Sequence, residues 1–394
     1  MDIKIRAPHA DEAEAVFAVG SEAFASRAER RESWLASKRM DEFLGGWVGD
    51  ELVATTEVMP VGQYFGGRSV PMGAVASVAV RPDHRGRGIA PRLLGLAVER
   101  MHEQGLVVST LHPATTRFYR GLGWEIGGEF GVRRVPTASL AALPPGEQEC
   151  LRPGRRDDLD GVRDCYERVA PSINGAIDRR DARWRIDQLT LDHPQRYLYV
   201  YDADDGIDGY VVYDQHQTSR QWGFGITVHE LVAADARAAV TLWRHLGSHV
   251  AQVDTVTVLA MPADVLTLLL PEQVVELAGA NHWMTRIVDA AGAVAARGYP
   301  PGLRAEVHLQ LADRVAPWND GRFVLRVDGG EGKLSPGGTG DVHLSINALA
   351  SLYTGWATAS VLEAAGVMHH AGRRELADLE AVFAGPRPYL FDNY

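Results

Sequence analysis

The chain has 394 residues, 46% of them hydrophobic and 23% charged, with a net charge of −11. That length is long for one domain, and the composition is that of a soluble globular protein with apolar residues enough for several cores. The acidic balance excludes a broad nucleic-acid-binding face, which needs clustered basic residues, and is compatible with a cationic substrate. The two cysteines, Cys150 and Cys165, make neither a disulfide framework nor a metal motif. The opening MDIKIRAPHADEAEAVF places acids where a signal peptide has an apolar run. No stretch approaches the roughly 18 apolar residues that span a bilayer. A cytoplasmic protein without membrane or nucleic-acid partners is expected.

In chain order, Ile3–Ala13 reads as a short strand, a turn and a helix starting among acids, which complement the positive end of the helix dipole. Phe43–Val58 gives two β-rich runs around the hairpin signal Gly49-Asp50. Gly73–Val80 predicts a strand, Ala90–Gln104 a helix and Val107–Leu111 another strand. The same order then repeats. Cys150–Leu159 is again strand, basic turn and acid-started helix, and Tyr197–Tyr213 is a hairpin around Asp204-Asp205-Gly206. Thr227–Val232, Ala234–Val250 and Thr255–Leu259 give strand, helix, strand. Two α/β modules in tandem are the expectation.

From about Gly292 the pattern changes. Strands at Ala305–Leu311, Gly321–Val327, Gly330–Ser335 and Gly340–Ile346 precede helices at Ala348–Thr354, Ala357–Ala365 and Arg373–Val382, which suggests an α+β domain. Gly329-Gly330-Glu331-Gly332-Lys333 reads as a hairpin connection, because no helix follows it and the phosphate-loop spacing is absent.

The segment richest in chemistry is VASVAVRPDHRGRGIAPRLLGLAVERM. A strand stops at Pro82, and Arg85-Gly86-Arg87-Gly88-Ile89-Ala90 leads into a helix that carries Pro91 in its first turn. Such a turn presents unpaired backbone N–H groups and the positive helix end to an anion. Gly86 and Gly88 permit positive φ and close approach, while Arg85 and Arg87 add charge suited to phosphate oxygens. A solvated basic turn is the plainer alternative. Downstream, Leu106–Leu111 and His112–Trp124 give a strand, a short helix with Phe118-Tyr119, and a Gly121-Leu122-Gly123-Trp124 turn.

The Arg-x-x-Gly-x-Ala spacing resembles the pyrophosphate loop of the GNAT superfamily of acyl-CoA-dependent N-acetyltransferases. That resemblance implies that Val78, Ala79 and Val80 hold the pantetheine arm of acetyl-CoA, the co-substrate, and that Arg85–Ala90 holds the pyrophosphate. It also implies that a main-chain N–H near Val78 faces the thioester oxygen, and that Tyr119 protonates the departing thiolate. The second module lacks this loop: Val228–Arg237 has no glycine turn and carries acids near the phosphate position. It looks degenerate.

The domain order, with Val-Ala-Val-Arg-Pro-Asp-His-Arg-Gly-Arg-Gly, Gly175–Trp184 and Asp341–Ala364, resembles the enhanced intracellular survival (Eis) family of N-acetyltransferases. The implied architecture is α/β plus α+β: tandem GNAT modules at 1–137 and 138–291, the second degenerate, then a sterol-carrier-protein-like domain at 292–394. A homo-oligomer, a hexamer, is implied with it. So is a terminal carboxylate acting as base, here that of Tyr394 at the end of Pro386–Tyr394. Phe24 and Trp34 fall where the family holds its acceptor, but Ala25–Arg31 between them is basic, which disfavours polycationic acceptors unless Glu29 or Glu32 faces inward. The expected activity is transfer of acetyl to a primary amine of a small molecule, aminoglycoside-like or other, in a ternary complex. A protein lysine acetyltransferase, or a lipid-binding protein with a vestigial module, remain the alternatives. No metal is implied, since the 14 histidines are scattered; His84 is expected to be exposed and His102 to lie on a helix surface.

Overall fold

The computed structural model describes residues 3–25, 29, 31–180, 194–219, 221–260, 265–369 and 372–392. The first module contributes β1 (Lys4–Arg6), β2 (Phe43–Val48), β3 (Glu51–Phe65), β4 (Arg68–Val80), β5 (Val108–Leu111) and β6 (Glu125–Pro136). Its helices are α1 (Ala13–Phe24), α2 (Arg31–Ser37), α3 (Ile89–Glu103) and α4 (Thr116–Arg120). The second contributes β7 (Leu151–Pro153), β8 (Ile177–Asp178), β9 (Arg196–Ala203), β10 (Gly206–Gln217), β11 (Phe224–Ala233), β12 (Thr255–Ala260) and β13 (Glu276–Ile287).

Each module runs antiparallel until α3, or its counterpart Ala236–Gly247, carries the chain over to a parallel strand. A parallel neighbour needs such a crossover, and an apolar helix face buries it against the sheet. In α3 that face is Leu93, Leu94, Ala97, Val98 and Met101, all buried.

The modules are not separate sheets. One 13-stranded sheet runs β1-β2-β3-β4-β5-β13-β6-β12-β11-β10-β9-β7, with β8 paired to β3. The position beside β5 is thus filled by the second module's last strand, Met284 opposite Leu111 and Ile287 opposite Val108. The position beside β12 is filled by the first module's β6, Val258 opposite Arg133. The two exchanged strands pair with each other, so every hydrogen bond that closes one module depends on the other.

The third domain is a five-stranded sheet, β16-β15-β14-β17-β18, made of β14 (Ala305–Ala312), β15 (Gly321–Asp328), β16 (Glu331–Pro336), β17 (Val342–Ser345) and β18 (Met368–His369). Two of its elements were not expected from the sequence: β18, and a helix at Ala290–Ala296 capped by Asp289 accepting from the Gly292 N–H at 3.1 Å. Helix Ile346–Thr354 is buried along nearly its whole length and packs on β6 and β13. Arg286 of β13 reaches Asp313 of this domain at 2.8 Å, both almost fully buried. Among the described residues, no helix is long and apolar enough to cross a membrane.

Candidate active site

β3 and β4 lose register between Thr55 and Glu57, opposite Ala76–Ala79. Ser77 sits in this bulge at φ +52°, a conformation that costs a non-glycine residue on the order of 1 kcal/mol or more and is often kept where function demands it. The β4–β5 ladder ends at Ala74 opposite Thr110. Beyond it, Ala76, Ala79 and Val80 pair with β3 and not with β5, and Ser77 and Val78 fall in the bulge, leaving the edge that faces β5 open among the described residues. Val78 and Val80 are half-buried toward the α3 core, whereas the Ala79 side chain is buried on the α1 side. A slender chain carrying amide groups could complete this edge.

The chain then passes Pro82–His84, where Arg81 pairs with Asp83 at 2.8 Å and with Glu51. Arg85, Gly86, Arg87 and Gly88 are all exposed. The Arg85 guanidinium donates to the Val80 carbonyl at 3.1 Å, tying the loop to the open strand. Gly86 (φ +74°) and Gly88 (φ +75°) are both left-handed, and Gly88 is the N-cap of α3. Ile89 is buried in the α3 core, so at Ile89 and Ala90 it is the N–H groups of the first turn that are offered outward. A Cβ on either glycine meets no atom within 4 Å, so the glycines are required for backbone conformation and for whatever approaches the loop. If this loop holds acetyl-CoA as expected, Gly88→Val should raise its Kd by at least about tenfold in calorimetric titration, at a cost in fold stability of about 1–2 kcal/mol from the left-handed backbone.

Tyr119 lies on α4, 7% exposed, edge-on to Phe118 at 4.9 Å and to Trp124 at 6.3 Å. Burial pushes its phenol up to about 12, so it is neutral at physiological pH and able to donate one proton. The hydroxyl has no hydrogen-bond partner among the described residues. The third domain fixes this turn: Asn347 donates to the carbonyls of Arg120 at 3.0 Å and Trp124 at 2.9 Å. Asn347→Ala is expected to cost about 1–2 kcal/mol and to lower kcat several-fold, read by thermal melts alongside steady-state rates.

Phe24 and Trp34 come together. They line one cavity of about 120 Å³ with Phe17 and Phe43, and Thr55 and Ser77 bring that cavity to the bulge. Phe24 is 53% exposed. Of the intervening basic stretch, Arg31 pairs with Glu14 on the surface, while Arg27 and Arg30 lie outside the described residues. Glu29 and Glu32 are exposed and do not line the cavity.

Sequence reasoning missed the polar set behind this cavity. Glu57 is 1% exposed, with Lys38 Nζ 2.8 Å from both carboxylate oxygens and Ser77 Oγ at 3.2 Å, and Thr55 donates to the Ser77 carbonyl at 3.0 Å. The signal was Thr55-Thr56-Glu57, a polar run inside an otherwise apolar strand. The two histidines also differ from expectation. The His84 side chain is only 12% exposed, and His102 stacks on Trp318 of the third domain at 4.3 Å. Among the described residues, no group of His, Cys, Asp or Glu is placed to hold a metal ion.

In the second module the corresponding helix begins at Asp235, whose carboxylate accepts from the Ala238 N–H at 2.9 Å. That bond, foremost, holds Asp235 below the usual carboxylate range. The anion seat is thus filled by the protein's own side chain. The slot between β11 and β12 persists as a cavity of about 340 Å³ lined by apolar side chains that include Leu231, Trp243, Val258 and Phe391.

Phe391 belongs to a C-terminal segment that returns to the module junction. Tyr389 bridges Glu129 and donates its N–H to Asn174 at 2.8 Å, and the Asp392 carbonyl is 3.0 Å from His112 Nε2, just past β5. Gly175, at φ +95°, admits the segment, since a Cβ there would lie 2.7 Å from the Tyr389 oxygen. Asp392 pairs with buried Arg179 at 2.6 Å, and Arg179 also meets Glu230 at 2.7 Å. Tyr394 and Asn393 lie outside the described residues, as does 181–193.

These features match known proteins along the whole chain. Residues 4–127 and 175–287 each match a family described as an acetyltransferase (GNAT) domain, and residues 290–391 match a sterol carrier protein domain. The crystal structure of a GCN5-related N-acetyltransferase from Anabaena variabilis superposes with a TM-score of 0.91 at 30% identity, covering 100% of both chains. One from Kribbella flavida gives 0.86 at 31% identity, covering 100% of this chain and 98% of that one. The chain belongs to the GCN5-related N-acetyltransferases. The N-acetyltransferase Eis of Mycobacterium tuberculosis is 26% identical over 368 residues, 87% of this chain and 86% of that protein. This GCN5-related enzyme is therefore an acyltransferase built of two GNAT domains and a sterol carrier protein domain.

Proposed function

We propose that this enzyme transfers the acetyl group of acetyl-CoA to a primary amine of a small molecule, in a ternary complex formed in its first module. The division of labour follows the three parts: 1–137 catalytic, 138–291 a degenerate partner, 292–394 a support. The observation that carries this reading is the contrast between the two helix starts, glycines at Gly86 and Gly88 against a self-capping Asp235.

The free amine attacks the thioester carbonyl, forming C–N as C–S breaks. A main-chain N–H near Val78 meets the charge that develops on oxygen, Tyr119 gives its proton to the departing thiolate, and the proton that the nitrogen sheds on becoming an amide restores the phenol, directly or through water. The proton lost by the ammonium goes to the terminal carboxylate of Tyr394, directly or through water; the return of the tail as far as Asp392 beside His112 supports that path. A second base is favoured by one contact, Glu57 within reach of Ser77 at the bulge. Deleting the last residues should abolish turnover and leave acetyl-CoA affinity intact if Tyr394 is the base, whereas Glu57→Gln should do so if Glu57 is. A hexamer accompanies this reading by resemblance and is measured by light scattering, and a cytoplasmic location remains the expectation from the sequence. Thiol release from acetyl-CoA with small amines tests the whole: release only with lysine peptides supports protein acetylation, and no acetyl-CoA binding supports the vestigial alternative.

A further inference from the structure

We infer that the acceptor is a compact monoamine bearing an aromatic or similarly flat apolar group, seated among Phe17, Phe24, Trp34 and Phe43, and not a polycation. The inference rests on the reading that acetyl transfer takes place beside Ser77, and it names the substrate class of that site.

Position comes first. Ser77 occupies the bulge where the open strand begins and also lines the aromatic cavity, so a molecule seated there presents its amine to that strand. Size comes next. The cavity is about 120 Å³, well below the roughly 300–1,000 Å³ that encloses drug-sized ligands, so one ring and a short arm fill it and a multi-ring sugar does not.

The lining decides the chemistry. Trp34 stands 5.3 Å from Phe17 and 5.9 Å from Phe43, tilted to each by about 60°, which leaves ring faces and edges toward a flat guest. Half-exposed Phe24 forms the rim. The polar groups are hydroxyls: Ser21 Oγ is buried and has no partner among the described residues, Thr55 spends its proton on the Ser77 carbonyl, and Ser77 reaches Glu57. Hydroxyl lone pairs can accept from one amine. They cannot balance several ammonium charges.

Among the described residues, no carboxylate lines the cavity, and the terminal carboxylate proposed as base can take one proton only. The nearest, Glu57, is already neutralised by Lys38, and Glu14 at the surface is taken by Arg31. A single ammonium loses its charge before attack and is tolerated meanwhile by aromatic faces. A second or third ammonium on the same guest would have to leave water without a counter-charge, beside a lysine. Ser21 and Phe24 are therefore specificity-determining positions, one for the amine and one for the ring.

The test uses the full chain and acetyl-CoA, with thiol release measured for 2-phenylethylamine and benzylamine against spermidine and kanamycin. The expected result is a kcat/KM at least about tenfold higher for the arylalkylamines. Phe24→Glu, which adds a carboxylate at the exposed rim, should move the ratio about tenfold toward spermidine. A preference of the unmodified enzyme for spermidine or kanamycin overturns the inference while leaving acetyl transfer standing. Acetyl-CoA binding without turnover of either arylalkylamine overturns it as well. If calorimetry detects no acetyl-CoA binding, the first-module reading fails, and the acceptor inference falls with it.

Discussion

Tyr119→Phe should lower kcat by about 10²–10⁴-fold while changing the acetyl-CoA Kd by less than about threefold. The size follows from the role proposed for the phenol. A thiolate leaving without a proton is a poor exit in a buried site, and Tyr119 is neutral because burial pushes it up to about 12. It therefore still carries its proton at the pH where the attacking amine becomes free base. Phenylalanine keeps the contacts with Phe118 and Trp124 and removes only the hydroxyl, which bonds to no described residue, so folding should be unaffected. Rapid-quench measurement of the chemical step alongside calorimetry separates the two effects. An unchanged kcat would mean that solvent protonates the thiolate.

Arg179→Met should destabilise the protein by about 3–5 kcal/mol, because it leaves Glu230 and Asp392 facing each other in a buried site without their shared cation. Arg179 also lies over the Tyr166 ring at 3.9 Å, and Tyr210 donates to Glu230, so neither carboxylate finds water. A triple variant, Arg179→Met with Glu230→Leu and Asp392→Leu, should recover most of that stability in chemical denaturation. Its turnover should stay low, since the pair that anchors the C-terminal segment near His112 is gone. Recovery of both would show that the cluster serves stability alone.

The same cluster has a pH signature. Burial pushes the Asp392 carboxyl up to about 6, against an ordinary 3.8. A raised carboxyl contributes stability that is fully present below its unfolded value and is lost as pH rises through about 6. Asp392→Asn, which mimics the protonated form, should therefore melt above the unmodified protein at pH near 7.5, with the difference vanishing toward pH 4. The opposite trend in melts across that range would contradict this assignment.

What could be read in the sequence was local. Arg85–Ala90 is a contiguous turn whose glycines and arginines state their requirement in six residues, and Tyr119 sits in an equally compact strand–helix–turn signature. The hairpin at Gly49-Asp50 and the crossover helix after it are local too. The exchange of β6 and β13 was not legible, because strand alternation is the same whichever neighbour accepts the hydrogen bonds. The pairing of Met284 with Leu111 joins residues far apart in sequence, and no periodicity encodes that choice. Arg179, Glu230 and Asp392 were hidden for the same reason. Glu57 was within reach, as a carboxylate in a run that otherwise belonged to the core. The helix at Ala290–Ala296 escaped because it is short and nearly all alanine, so its buried stripe of Ala290, Ala293 and Val294 barely differs from the rest, leaving the Asp289 cap as the main sign.

On the proposal that the second module binds no acetyl-CoA, what it contributes follows from the sheet. It supplies β13 to close the first module, Arg179 to hold the C-terminal segment, and a surface on which the third domain seats the Tyr119 turn through Asn347.

The central claim, that one donor site exists per chain and lies at Gly86–Gly88, is tested most directly by titrating acetyl-CoA into the full-length protein calorimetrically. The account predicts a stoichiometry of one per chain, with binding lost or weakened at least about tenfold in Gly88→Val and unchanged in Asp235→Gly. Two sites per chain, or binding that persists in Gly88→Val and disappears in Asp235→Gly, would contradict it.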